Sequence, residues 1–196
     1  MKVREIFQDK IITVSNVLTV MRIIAAPFLG YFIYREYQTG DTGYVWYEMG
    51  VVVFIIMTDF LDGNLARLMN QVSKLGQYLD PIADKFSGLF AMLFLVLYKG
   101  FPLWVLVIAL AREVVAVIAG ILLYMRNDIQ VRPNVFGKMC AVSMALCGAL
   151  YIISLDYSFM GISLKHFSVF LVLLFYGLGG ILYIKTYTRQ YLDKKA

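Results

Sequence analysis

The sequence predicts an all-α, polytopic membrane protein with six transmembrane helices, a short interfacial helix and a single domain over residues 1–196. Of its 196 residues, 61% are hydrophobic and 16% are charged, whereas ordinary soluble domains have about 45–50% and about 25%. The mean hydropathy is +0.74. Six apolar stretches are each long enough to cross a bilayer core about 30 Å thick. The composition excludes a disordered chain, which needs low hydrophobicity and high charge.

The predicted elements follow one another with short connections. Residues 1–12 alternate charged and bulky apolar side chains, which is typical of an amphipathic helix lying along the membrane interface. Turn signals at Thr39-Gly40-Asp41-Thr42-Gly43 and at Lys99-Gly100-Phe101-Pro102 separate neighbouring spans. The six spans are expected, to within a few residues, at 15–34, 45–68, 79–98, 102–125, 136–155 and 167–187.

The basic residues predict the orientation of these spans. Of the 18 Lys and Arg residues, Arg22, Lys85 and Arg112 lie well inside the spans, and Arg35, Lys99 and Lys165 lie on one side of the membrane. The other twelve lie on the opposite side together with both termini, and Lys and Arg are enriched in cytoplasmic loops. We therefore expect both termini on the cytoplasmic side. The basic residues are scattered at the ends of apolar segments, which indicates membrane lipids and not nucleic acid as the partner.

Four aspartates lie at the predicted cytoplasmic ends of two successive spans. Asp59 and Asp62 are three residues apart and Asp80 and Asp84 are four apart, so each pair shares one helix face. If the two helices are antiparallel neighbours, four carboxylates converge at one depth, where uncompensated charge is prohibitively costly. Carboxylate oxygens suit Mg²⁺ or Mn²⁺ better than zinc. The spacing therefore predicts a divalent metal centre, against the alternative of solvated charges at headgroup level.

Small residues and a cation lie between the two aspartate pairs. Gly63 and Ala66 allow a ligand to approach the backbone closely. Arg67 follows one turn later and is suited to bidentate contact with phosphate. Carboxylates, metal, arginine and small residues together predict a site for a diphosphate-containing nucleotide.

These residues form a motif that resembles the signature of the CDP-alcohol phosphatidyltransferases. The match is Asp59-x2-Asp62-Gly63-x2-Ala66-Arg67-x8-Gly76-x3-Asp80-x3-Asp84, without departure. The six spans and an Asn16-x2-Thr19-x2-Arg22 entry to the first helix extend the resemblance over the whole chain. The resemblance implies attack of an alcohol hydroxyl on the β-phosphorus of a CDP-linked lipid, with release of CMP. It also implies two Mg²⁺ ions, or Mn²⁺, as cofactors.

The resemblance further implies a role for each residue of the motif. Asp59, Asp62 and Asp80 would hold the two metal ions. Asp84 would complete the metal site and act as the catalytic base for the acceptor hydroxyl. Asn16 is by position either a helix N-cap or a ligand contact. The residues implied to contact the CDP-lipid are Asn16, Gly63, Ala66, Arg67, Ser73 and Gly76.

The acceptor is indicated by the short format, Pro27 and the Ala111-Arg112-Glu113 segment, which are most similar to phosphatidylglycerophosphate synthases. This resemblance implies CDP-diacylglycerol and glycerol 3-phosphate as substrates, a homodimer, and a bacterial cytoplasmic membrane. Arg112, Arg132 and Lys138 would hold the acceptor phosphate, although Arg112 and Glu113 also suit a structural ion pair. The residues after Lys138 lack the second Lys, the Thr and the Gln usual in those synthases. Cardiolipin synthase therefore remains an alternative, as do inositol phosphate, serine and choline as acceptors.

Two functions from other classes fit the composition less well. A small membrane transporter would have charged residues strung across the membrane and broken helices in mirrored halves, whereas the four aspartates are expected at one depth. A catalytically inactive scaffold would not need all eight residues of the motif.

Overall fold

The computed structural model describes residues 13–68, 74–127, 135–159 and 162–193. In these ranges it contains six α-helices, together with two two-residue strands that pair in antiparallel. The helical class is confirmed, and the helices match the predicted spans to within a few residues at most ends. The interfacial helix predicted over 1–12 lies outside the described residues. The elements are α1 Val14–Thr39, α2 Tyr44–Leu68, α3 Lys74–Tyr98, α4 Leu103–Asn127, α5 Val135–Ile152, β1 Ser158–Phe159, β2 Ile162–Ser163 and α6 Leu164–Asp193.

Within the described residues, three helices are long and apolar enough to cross a membrane. They run over Asn16–Thr39, Tyr44–Leu61 and Leu164–Leu182, and a shorter apolar helix covers Lys138–Ile152. These helices indicate a membrane protein. Six membrane crossings and the sidedness of the termini stay predictions.

The chain divides into two compact units, Met1–Leu106 and Val107–Ala196, with the boundary inside α4. The prediction of one domain over residues 1–196 concerns the arrangement of these units and stays a prediction. The first unit contains α1 to α3, which carry the aspartate motif. The second contains most of α4 together with α5 and α6.

In the first unit, α1 packs against both α2 and α3. Its buried face repeats every three or four residues, as expected for a helix with one face in a core, and consists of Thr19, Arg22, Ala26, Leu29 and Ile33. The N-cap of α1 is Thr13, whose hydroxyl accepts a hydrogen bond from the Asn16 amide at 3.2 Å. The N-cap role considered for Asn16 is therefore wrong, because the helix begins one turn earlier.

Glycines fix two turns and one close helix contact in this unit. Gly40 and Gly100 adopt the left-handed conformation, with φ of 67° and 69°, which a glycine adopts without steric cost. Both predicted turns are confirmed. Gly30 faces α3, where a Cβ at this position would lie only 2.8 Å from the Phe94 ring.

A buried ion cluster joins all three segments of this unit. Lys99, directly after α3, pairs with Glu36 of α1 and lies 3.3 Å from the Glu48 carboxylate of α2. Glu48 is fully buried, and the Lys99 side chain is 6% exposed. Lys99 is thus a buried partner of two carboxyl groups, in addition to its place in the predicted loop.

The second unit is organised around the packing of α5 against α6. The Ser168 hydroxyl donates to the Cys147 sulfur at 3.2 Å, and both side chains are buried. Val169 and Val172 complete the buried face of α6. The two helices therefore share a small, mainly apolar core.

Candidate active site

Three of the four predicted aspartates are contacted by side chains on one face of α1. Asp59 lies on α2, and Asp80 and Asp84 lie one turn apart on α3. Arg22 of α1 donates a hydrogen bond to Asp84, and its Nη1 lies 3.4 Å from Oδ1 of Asp59. The Thr19 hydroxyl, one turn before Arg22, donates to Oδ1 of Asp80. Two polar residues on one face of α1 thus contact carboxylates from both neighbouring helices.

The cation and the carboxylates differ sharply in exposure. The Arg22 side chain is 2% exposed, whereas the side chains of Asp59 and Asp84 are 63% and 50% exposed. The main-chain carbonyl of Arg22 also accepts a hydrogen bond of 3.4 Å from the Ser87 hydroxyl. The carboxylates are therefore accessible to a ligand from one side while a fixed positive charge lies behind them. A catalytic site needs both access for the substrate and charged groups that are held in fixed positions.

The remaining residues of the motif are only partly described. Asp62, Gly63, Ala66 and Arg67 lie in the last turns of α2, and Gly76 lies in the first turn of α3. Helix geometry places Asp62 one turn beyond Asp59 on the same face, but the side chains of all five residues are outside the description. Ser73 lies outside the described residues. Asn16 is buried in the first turn of α1, one turn before Thr19.

The donor chemistry of the cluster fits a hard divalent cation. Its ligating atoms are carboxylate and hydroxyl oxygens, which Mg²⁺ and Mn²⁺ prefer, and Asp84 is influenced electrostatically by both Asp59 and Asp80. Within the part of the chain that the structure describes, no three acidic, histidine or cysteine side chains surround a common point. Instead, the carboxylates of Asp59 and Asp84 contact the Arg22 guanidinium. The residues therefore suit a metal ion in chemistry and charge, and the Arg22 side chain contacts two of these carboxylates.

The residues predicted to hold the acceptor phosphate are not seen together. The Arg112 guanidinium lies 4.3 Å from the centre of the Tyr176 ring and 3.5 Å from the Glu113 carboxylate. Lys138, in the first turn of α5, is exposed and borders a cavity of about 340 Å³ between α5 and α6. Arg132 lies outside the described residues. The pairing of Arg112 with Glu113 agrees with the structural alternative, and the acceptor role stays a prediction.

Thr19 and Arg22 belong to the predicted family resemblance, but the sequence does not predict their contacts with the aspartates. A signal was present, because Asn16, Thr19 and Arg22 repeat every three residues and an arginine inside an apolar span needs a partner. What the sequence lacked was the identity of that partner, which lies more than sixty residues away in the case of Asp84.

Comparison with known proteins identifies the family to which this site belongs. The CDP-alcohol phosphatidyltransferase profile matches residues 12–178, which include all four motif aspartates and the two α1 residues that contact them. The chain belongs to the CDP-alcohol phosphatidyltransferase family. The predicted enzyme class, a transferase, is thereby confirmed, and the transporter alternative finds no support.

Individual relatives within the family have two different names. A CDP-diacylglycerol–glycerol-3-phosphate 3-phosphatidyltransferase of Aquifex aeolicus is 31% identical over 68% of this chain and 71% of its own length. A protein of the same name in Bacillus subtilis is 31% identical over 63% of this chain and 68% of its own length. A CMP-forming cardiolipin synthase of Streptomyces coelicolor is 30% identical over 74% of this chain and 67% of its own length. The relatives therefore include both enzymes that the sequence leaves open.

Proposed function

We propose that this CDP-alcohol phosphatidyltransferase transfers the phosphatidyl group of CDP-diacylglycerol to glycerol 3-phosphate and releases CMP. The observation that supports the proposal is that Thr19 and Arg22, on one face of α1, contact three aspartates of the family motif, Asp59 of α2 and Asp80 and Asp84 of α3. The names of the Aquifex and Bacillus relatives support glycerol 3-phosphate as the acceptor.

In this proposal the four aspartates divide the chemical work. Asp59, Asp62 and Asp80 hold two Mg²⁺ ions, which when bound neutralise the diphosphate and stabilise the departing CMP. Asp84 also contacts the metal site, and its half-exposed carboxylate accepts the proton of the acceptor hydroxyl. The acceptor oxygen forms a bond to the β-phosphorus, and the bond from that phosphorus to the bridging oxygen breaks.

The remaining motif residues bind the donor. Gly63 and Ala66, near the end of α2, leave room for the diphosphate close to the backbone. Arg67 supplies a cation suited to its oxygens. Asn16, Ser73 and Gly76 complete the donor contacts that the resemblance implies.

The acceptor phosphate requires a separate positive region in this account. Arg112, Arg132 and Lys138 provide it, because a phosphomonoester carries close to two negative charges near neutral pH. Arg112 is the most informative of the three, because it lies within a predicted span, where charged residues are rare and mark functional sites. Its stacking on Tyr176 holds the guanidinium in a defined position.

Cardiolipin synthesis is the second candidate, with phosphatidylglycerol as the acceptor. The Streptomyces relative supports it, because that cardiolipin synthase aligns with 74% of the chain. The Met139-Cys140 sequence after Lys138 also departs from the pattern usual in phosphatidylglycerophosphate synthases. The two candidates differ only in the alcohol, so one assay separates them.

A panel of acceptors tests the proposal. The purified chain in detergent micelles receives CDP-diacylglycerol, Mg²⁺ and one acceptor at a time, and CMP release is measured. We expect the fastest release with glycerol 3-phosphate, and background release from the Asp59→Asn variant in every reaction. Faster release with phosphatidylglycerol would establish the second candidate. Preference for serine, choline or inositol phosphate would contradict both.

We also propose that the enzyme lies in a bacterial cytoplasmic membrane as a homodimer, with its termini and active site on the cytoplasmic side. Labelling of single introduced cysteines tests the sidedness, because Cys140 and Cys147 are buried. In intact cells, an impermeant maleimide should label Asp41→Cys, and it should label Asp193→Cys only after permeabilisation. The reverse pattern would contradict the orientation. Cross-linking in native membranes, followed by mass measurement, tests the dimer.

A further inference from the structure

Arg22 lies between carboxylates of two helices at the predicted metal centre. Its Nη1 atom contacts carboxylate oxygens from two different helices, Asp59 on α2 and Asp84 on α3. A group that contacts one oxygen from each of two carboxylates makes the same contacts as a metal ion that is coordinated by both. The guanidinium is almost fully buried beneath these more exposed carboxylates.

Thr19 contacts the same cluster in a different way. Its hydroxyl donates to Asp80, and it brings no charge. It therefore orients a carboxylate without competing for its negative charge. Arg22 does compete, because a divalent cation on Asp59 and Asp84 would share oxygens with a guanidinium, and two cations held that closely repel each other.

We propose that Arg22 is an internal counter-ion that takes the place of a divalent cation at Asp59 and Asp84 while no metal is bound. The inference rests on the proposed metal centre and adds a residue to it. Arg22 keeps the two carboxylates compensated and α2 and α3 together in the metal-free protein. Since Arg22 and the metal draw on the same oxygens, each weakens the binding of the other, and thermodynamic linkage makes this antagonism reciprocal.

The antagonism predicts an unusual sign for the effect of a substitution. Removing a residue from a binding site ordinarily weakens binding, whereas Arg22→Met should make the protein bind metal more tightly. The same variant should be less stable than the wild type in chelator, because Asp59 and Asp84 lose their counter-ion. Saturating Mg²⁺ should restore much of that stability, so the melting temperature should rise more with Mg²⁺ in the variant than in the wild type.

The experiment measures Mn²⁺ binding to the full chain in micelles from the electron paramagnetic resonance signal of free Mn²⁺, together with melting temperatures in chelator and in Mg²⁺. We expect Arg22→Met to bind Mn²⁺ about fivefold or more tightly than the wild type. Arg22→Lys, which keeps the charge, should bind with nearly wild-type affinity. Unchanged or weaker binding by Arg22→Met would overturn the proposal.

Two matched variants separate competition from a general loosening of the protein. Thr19→Val removes a neutral contact to the cluster and should leave metal binding equal or weaker. Lys99→Met removes another buried cation, whose partners are Glu36 and Glu48. This variant should leave metal binding unchanged. Tighter binding in either variant would contradict a specific role for Arg22.

Three outcomes distinguish a failure of the counter-ion role from a failure of the metal centre. If Arg22→Met is unfolded in chelator and also in saturating Mg²⁺, the proposal is wrong, because metal should replace the missing cation. If the wild type binds no Mn²⁺ and Asp59→Asn behaves identically, the proposed metal centre itself fails. Normal binding by the wild type, with no change in Arg22→Met, refutes the counter-ion role alone.

Discussion

Replacing Lys99 by methionine tests how the three helices of the first unit are held together. The substitution keeps a long side chain but removes the positive charge that contacts Glu36 and Glu48. The Glu48 side chain is fully buried and that of Glu36 is only 15% exposed, so water cannot replace the lost charge at Glu48. Two carboxyl groups are then left without this partner in a region of low polarity.

The expected loss of stability is large. Removing one partner of a buried ion pair costs about 3–5 kcal/mol, because the other partner remains desolvated. In a chain of about 200 residues, 1 kcal/mol corresponds to roughly 2–4 °C in melting temperature. Lys99→Met should therefore lower the melting temperature by about 6–20 °C.

Glu48→Gln is the matched variant, because it keeps the volume of the side chain and removes one of the two carboxyl groups that share Lys99. We expect a change within about 1 kcal/mol, since Glu36 retains its partner and the amide can hydrogen bond. Thermal unfolding in micelles, followed by circular dichroism at fixed pH and detergent concentration, measures both variants. If Lys99→Met lowers the melting temperature by less than about 2 °C, or if Glu48→Gln lowers it equally, Lys99 does not stabilise the three helices as a shared counter-charge.

Three further predictions concern packing and the site. Gly30→Ala inserts a methyl group against an aromatic ring of α3 and should cost about 1–3 kcal/mol; Gly50→Ala meets nothing within 4 Å and should be neutral or slightly stabilising in the same melting assay. Arg112→Ala should raise the KM for glycerol 3-phosphate about tenfold and leave that for CDP-diacylglycerol nearly unchanged, whereas a change confined to the CDP-lipid would contradict its acceptor role. Asp84→Asn should lose at least about 100-fold in turnover yet retain CDP-lipid binding, and Asp59→Asn should lose both; near-normal turnover of Asp84→Asn would place the base elsewhere.

The sequence predicts the helices well because their determinants are local. Runs of apolar residues long enough to span a bilayer fix where the helices lie, and glycines with positive φ follow α1 and α3. The aspartate motif is predictable for a related reason, since spacings of three and four residues place side chains on one helix face whatever surrounds them. Asp80 and Asp84 accordingly lie one turn apart on α3.

The partners of buried charges depend on packing between helices, which the sequence does not reveal. Lys99 has the sequence context of a loop residue, and only the approach of α1 and α2 to the end of α3 brings Glu36 and Glu48 to it. Arg22 is recognisable as a charge in an apolar span. Its contact with Asp84 depends on the packing of α1 against α3.

The dependence of CMP release on divalent metal is the direct test of the proposed metal-dependent phosphatidyl transfer. The purified chain is incubated with CDP-diacylglycerol and glycerol 3-phosphate, first in excess chelator and then after Mg²⁺ is added beyond the chelator, with Asp59→Asn in parallel. We expect no release above background in chelator, full recovery with Mg²⁺ in the wild type, and no recovery in the variant. Equal CMP release in chelator and in Mg²⁺, or full recovery in Asp59→Asn, would contradict it.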